Sequence, residues 1–340
     1  MRRLVFLIAS VLVSGLFLWL ALRDVPHQEI IENIRQADLG WALIALVTVG
    51  LGLWTRAVRW RGLVNYKVTT MQAFHMLNIT MLLNQLPLRA GEVARSLLAT
   101  RSGVPLMTAA TSIIVERLLD TLLVVIWLSV ALTQAPNAQP DAVRLAILFG
   151  AAAVAAFIVL IVFARRPAIA HRILALVERL LPFIKRLNLG RLLDHVLDGV
   201  QPLTHWRSAI HAIGWTIISW SVSAVTFCCM MLAIGIQDNV VLMAILSLTL
   251  ASFSIAIPVS VAALGPYEGA VRLAGDAAGV SQVLSTSAGF LSHGINILGY
   301  AILGTIGMLA MGISLGDVMK AGESKKEEPA GAAAAEPGGD

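Results

Sequence analysis

Of 340 residues, 58% are hydrophobic and only 13% charged, with a mean hydropathy of +0.81. That balance excludes a soluble globular domain and defines a polytopic membrane protein. A net charge of +5 could suggest a nucleic-acid partner, but the basic residues gather beside apolar runs, where membrane topology already accounts for them, so no nucleic-acid partner is expected.

The chain opens Met1-Arg2-Arg3 before an apolar run from Leu4 to Leu22. The pattern resembles a secretory signal. The run is nevertheless long enough to span, and no small-x-small cleavage site precedes Arg23, so an uncleaved first helix with a cytoplasmic N-terminus is expected. Further runs at 39–58, 106–133, 141–164, 209–235 and 283–313 bring the expected spanning helices to about six, each near the ~20 residues a crossing needs. Arg56, Arg59, Arg61 and Lys67 follow the second run. Arg165, Arg166, Arg172, Arg179, Lys185, Arg186, Arg191 and Arg207 follow the fourth, whereas 134–140 has no basic residue. The basic connections are therefore placed in the cytoplasm. Trp41, Trp54, Trp60, Trp206 and Trp215 fall near run ends, the depth an indole favours.

Two segments do not fit as simple spans. If both termini are cytoplasmic, 71–102 and 240–280 must each leave and return on one side, as two opposed re-entrant helical hairpins. Each has the necessary helix breakers, Pro87 and Gly91 in the first and Pro258, Gly265 and Pro266 in the second. Between 168 and 207, apolar residues at mixed helical spacing among arginines fit either amphipathic helices on the inner leaflet or a solvated loop with short helices. Residues 1–315 then form the transmembrane domain. The Ala-, Gly- and Glu-rich stretch 316–340 is expected to be a disordered cytoplasmic tail.

The candidate site lies where ionisable residues interrupt the apolar pattern, because a charge at a helix centre costs about 2.5–3.5 kcal/mol even on lenient scales. Arg89, Glu92 and Arg95 step by three along the helix leaving Pro87, and its free N–H groups would add to Arg89 as an anion attractor. Arg95 could instead snorkel to the interface. Glu116, Arg117 and Asp120 share one side of the next span, with Arg117 placed to bridge the two acids. They are either an ion-pair knot fastening helices or a site in which Arg117 or Arg89 meets an anionic headgroup. Glu268 follows Pro266 and Tyr267, either as a dipole complement in a first helical turn or as a site residue. His75 and His293 are single histidines in apolar surroundings, read as packing or as proton relays. Adjacent Cys228 and Cys229 offer no disulfide framework or metal spacing, and Asn78-Ile79-Thr80 lies too deep for glycosylation.

Sliding the chain on itself by 176 residues sets Glu92 on Glu268, Gly103-Val104 on Gly279-Val280, Glu116-Arg117 on Ser292-His293 and Asp120 on Asn296. The echo hints at an inverted repeat of the kind that places a substrate site between its halves; chance matching of apolar sequence is the alternative. No nucleophile elbow, zinc-protease helix, Walker loop or dinucleotide fingerprint is present, so neither a catalytic residue nor a metal or other cofactor is expected.

Asn84-Gln85-Leu86-Pro87-Leu88-Arg89-Ala90-Gly91-Glu92-Val93-Ala94-Arg95, then Gly103-Val104-Pro105, then Glu116-Arg117-Leu118-Leu119-Asp120, resembles the membrane region of the lysylphosphatidylglycerol synthase/flippase family. The later Leu264-Gly265-Pro266-Tyr267-Glu268 with Gly279-Val280 resembles that family's second signature, which tends to read Gly-Gly-x-Gly-x-x-Glu where this chain has Ala262, Ala263 and Gly265. The resemblance covers roughly residues 1–315. It implies a multi-pass protein of the bacterial inner membrane, related to the half that moves aminoacylated phospholipid between leaflets, and does not imply the synthase.

The reading is an all-α membrane protein acting as a flippase or scramblase-like transporter of an anionic or phosphate-bearing lipid. Arg89, Glu92, Arg95, Glu116, Arg117, Asp120 and Glu268 are its substrate-binding candidates. One alternative is a membrane-embedded transferase using Glu116 and Asp120. Another is a scaffold that recruits lipid-synthesis enzymes through the basic 165–207 segment.

Overall fold

The computed structural model describes residues 2–23, 25–86, 91–180, 189–256 and 261–313. Its regular elements are helices: α1 (Arg2–Leu22), α2 (His27–Arg35), α3 (Leu39–Leu63), α4 (Thr70–Asn84), α5 (Gly91–Arg101), α6 (Leu106–Gln134), α7 (Pro140–Arg165), α8 (Pro167–Leu180), α9 (Leu189–Val200), α10 (Trp206–Ala233), α11 (Val240–Ala256), α12 (Pro266–Ala278) and α13 (Gln282–Ala310). Among the described residues, α3, α7, α10 and α13 are long and apolar enough to cross a membrane. The six predicted apolar runs coincide with α1, α3, α6, α7, α10 and α13. Arg89, the breaks at Pro87 and Pro258, and the tail 316–340 lie outside the described residues.

Local chemistry sets the helix ends. The Asp38 carboxylate accepts from the Gly40 and Trp41 amides at 2.7 and 3.1 Å and starts α3, and Thr69 with Gln72 forms a reciprocal capping box on α4. Pro140, Pro167 and Pro266 each occupy a first helical position, where the missing N–H costs nothing. α3 does not stop at residue 58 as its hydropathy predicts. It runs on to Leu63, which puts Arg59 and Arg61 on a helix rather than in a loop.

The 176-residue echo is present in the helices. The same shift carries Leu106–Gln134 of α6 residue for residue onto Gln282–Ala310 of α13. The turns before these helices match as well: Gly103 and Gly279 have φ of 84° and 79°, and the next amide reaches back five residues, Val104 N to Ala99 O at 3.1 Å and Val280 N to Gly275 O at 2.8 Å. Packing follows the same exchange. α3 lies against α10, α4 against α13 and α11 against α6, while α4–α5 and α11–α12 each fold back as a helical pair. Two four-helix units, α3–α6 and α10–α13, thus interlock, each lending its long final helix to the other's hairpin.

Small residues permit the closest of these contacts. A Cβ on Gly304 would lie 2.4 Å from the Leu82 Cβ and 3.0 Å from the Asn78 carbonyl, so α4 and α13 touch nearly backbone to backbone. The remaining helices flank this body. α1 packs on α12 and α2 on α13, where Asn33 Nδ2 donates to Ser287 Oγ at 3.3 Å. α7 packs on α6 with its outer face exposed. α8 is amphipathic, exposing Ile173, Leu176 and Leu180, and is tied to α9 by His171 and Asp194 at 3.0 Å.

Candidate functional site

α6 is ~43 Å long at 1.5 Å per residue, and Glu116 and Asp120 sit ~15 and ~21 Å from its start, the depth at which an unpaired charge is least tolerable. Their partner comes from α3. Arg59 Nη1 donates to Asp120 Oδ1 at 2.5 Å, and Nη2 donates to Glu116 Oε1 and Asp120 Oδ2, both at 3.2 Å. Thr216 and Trp220 of α10 complete the shell, Thr216 Oγ1 accepting from Arg59 at 3.1 Å and Trp220 Nε1 donating to Asp120 Oδ1 at 2.8 Å. The second Glu116 oxygen pairs with Arg95 Nη2 of α5 at 2.7 Å. Arg95 also lies 5.2 Å over the Trp60 ring, whose Nε1 donates to Ser112 Oγ at 2.9 Å. Glu116 is therefore shared by two buried guanidiniums from different helices.

Arg117 does not bridge Glu116 and Asp120, as their spacing on one helix predicts. It turns to Glu92 of α5 at 2.9 Å, and the two side chains are 52% and 39% exposed. A wet pair of this kind contributes about 0–1 kcal/mol, whereas removing one partner of a buried network costs about 3–5 kcal/mol. The bridge is Arg59 because it reaches the acids from a facing helix with its whole fork, while a residue on the same helix points along its own surface.

The second unit presents a matching wall. Glu268 is fully buried; its Oε2 accepts from the Gly265 amide at 2.7 Å and its Oε1 meets His293 Nδ1 at 2.6 Å. Under the 176-residue shift, Glu92–Arg117 lands on Glu268–His293, so each unit clasps its short helix to its long one at the same place. Tyr267 stacks on His293 at 4.4 Å between centroids, and its hydroxyl meets Ser292 and Asn296 at 3.4 and 3.3 Å. The turn before Glu268 places Ala262, Ala263 and Gly265 at φ of 49°, 60° and 88°. These are the three positions at which the family resemblance leads one to expect glycine, since a Cβ in the left-handed region costs about 1–2 kcal/mol.

Between the two units lies a cavity of about 520 Å³. Arg56, Arg59, Glu92, Arg95, Glu116, Arg117 and Asp120 line one part of it, and Tyr267, His293, Asn296 and Tyr300 another; Leu77, Val124, Phe227 and Leu248 give it apolar surface as well. Five of the seven candidates, Glu92, Arg95, Glu116, Arg117 and Asp120, thus converge on one space. Glu268 stands behind His293 rather than on the wall. Trp60 proves to be fully buried and not an interfacial anchor.

Arg59 and Arg56 escaped the sequence reading because they follow an apolar run and look like topology charges. The available signal was the absence of proline between Trp54 and Asn65, which lets the helix continue and carry both into the protein. Trp220 gave no signal, since a tryptophan within an apolar run is unremarkable until its N–H finds Asp120.

Interlocked helical units around an ion-paired cavity define a polytopic helical membrane protein whose charges are built into its centre. The chain belongs to the lysylphosphatidylglycerol synthase TM region family, whose model matches residues 7–304. No curated protein and no solved structure matches it.

Proposed function

We propose that this protein is a flippase or scramblase-like transporter, not an enzyme, moving an anionic or phosphate-bearing lipid between the leaflets of a bacterial inner membrane. The observation that carries this reading is the 520 Å³ cavity between two repeated units, charged on one wall and hydrogen-bonding on the other. A polar headgroup needs such a compartment to traverse hydrocarbon, and sites between repeats are a common solution among transporters. The transferase alternative needs Glu116 or Asp120 free as a base or metal ligand, but Arg59 engages both. Membership of the family supports a role in lipid handling.

In this account six helices span, both termini are cytoplasmic, and α4–α5 and α11–α12 are re-entrant from opposite faces. The hairpins would alternately expose the cavity, and the exposed Glu92–Arg117 pair is the part of the network that can rearrange at least cost. α8 would lie on the inner leaflet with its apolar face in the lipid.

Two measurements test the proposal. Native mass spectrometry of protein released together with its lipids is expected to show a retained anionic or phosphate-bearing lipid; protein that retains only uncharged lipids without phosphate contradicts the substrate class. In a Cys228→Ser, Cys229→Ser background, Gln237→Cys is expected to react with an impermeant thiol reagent in intact cells, and Lys67→Cys only after lysis. Labelling of both from outside contradicts the opposed hairpins.

A further inference from the structure

Among the described residues, four guanidiniums line the cavity, those of Arg56, Arg59, Arg95 and Arg117, against three carboxylates, those of Glu92, Glu116 and Asp120. Arg59 and Arg95 share Glu116 and Asp120, and Arg117 has Glu92. Arg56 has no carboxylate partner among the described residues; its Nη2 donates to Ser223 Oγ of α10 at 3.0 Å. It sits ~10 Å inside the C-terminal end of α3 and lines the cavity. The Nε donors of Arg59 and Arg95 are also buried without partners. Among the described residues, the wall therefore holds one positive charge more than it neutralises, together with spare N–H groups. An arginine at this depth needs a counter-charge, and the described residues do not supply it.

We propose that Arg56, supported by Ser223, is the oxyanion subsite of the cavity and takes the phosphodiester of a lipid headgroup. The inference rests on the transport reading for the lipid as ligand and on the charge tally for the oxyanion. A guanidinium fork suits this ligand because it can meet two phosphate oxygens together, while the Ser223 hydroxyl, which accepts from Arg56 at 3.0 Å and donates to the Ser219 carbonyl at 3.0 Å, holds the fork in position. A single phosphodiester charge balances the single unmatched arginine. The apolar surface beside Leu248 and Phe227 can accommodate the start of the acyl chains.

The test is binding by the full-length protein in detergent of dioctanoyl phosphatidylglycerol, dioctanoylglycerol and inorganic phosphate, each alone. The parent is expected to bind the phospholipid more tightly than the uncharged lipid, and Arg56→Gln to weaken phospholipid binding by about tenfold or more. Ser223→Ala should weaken it about threefold, and Arg56→Lys should fall between parent and Arg56→Gln. A structural arginine would lower the melting temperature of the lipid-free protein when replaced. Here Arg56→Gln is expected to leave it unchanged or raise it, because an uncompensated charge is removed. Equal phospholipid affinity in parent and Arg56→Gln overturns the subsite. If that variant does not fold, equal affinity in parent, Arg56→Lys and Ser223→Ala overturns it instead. Inorganic phosphate binding as tightly as the phospholipid, and through Arg56, overturns the lipid assignment in favour of a soluble phosphate. Arg56-dependent lipid binding by a protein that exchanges no lipid contradicts the transport reading and leaves the subsite standing.

Discussion

Glu116→Leu should be the most damaging single change in the protein. It leaves Arg59 with Asp120 alone and Arg95 with no buried carboxylate, and stranding a buried cation costs about 3–5 kcal/mol. Thermal unfolding in detergent is expected to show a loss of this size for Glu116→Leu and a partial recovery when Arg95→Met is added, since the second change removes the stranded charge. Arg117→Leu provides the contrast. Its partner Glu92 is exposed, so stability should fall by no more than about 1 kcal/mol. Purely additive losses for the Glu116 and Arg95 changes, or an Arg117 effect as large as that of Glu116, would contradict the assignment of partners.

The second large effect is expected at Glu268. Its carboxylate serves the Gly265 amide at the start of α12 and the His293 ring of α13 together, so Glu268→Leu removes a cap and orphans a buried imidazole. Adding about 1 kcal/mol for the cap to about 1–3 kcal/mol for the unsatisfied group gives a loss of about 2–4 kcal/mol. Glu268→Gln keeps an acceptor for one of the two donors and should lose less. The same detergent unfolding measurement decides it. Equal stability in parent and Glu268→Leu would mean that the clasp does not hold α12 to α13.

The elements of the fold were legible because a bilayer-sized apolar run allows few structures, and each predicted run coincides with a long helix. The 176-residue echo was legible as well: Gly-Val turns and acids at matched spacing needed no tertiary information. The pairings were not. Helical spacing places Arg117 beside Glu116 and Asp120, and only the approach of α3 shows that Arg59 takes both acids while Arg117 faces Glu92. Positive charge after an apolar run carries a topological meaning and a functional one with the same letters. Arg61 and Arg59 are two residues apart on α3, yet the first donates to the Val68 carbonyl and the second enters the centre of the protein. Glu268 resolves similarly. It caps its helix through one oxygen and reaches His293 through the other, so dipole complement and site support are the same side chain.

The proposed transport passes lipid headgroups through the cavity between the two units. Its most direct test is leaflet exchange of a fluorescently labelled phosphatidylglycerol in proteoliposomes, read by an impermeant quencher added outside. Protein-containing vesicles are expected to lose fluorescence beyond the outer-leaflet fraction, and vesicles carrying Arg56→Gln to do so more slowly. Parent proteoliposomes that retain the same protected fraction as protein-free vesicles would contradict the account.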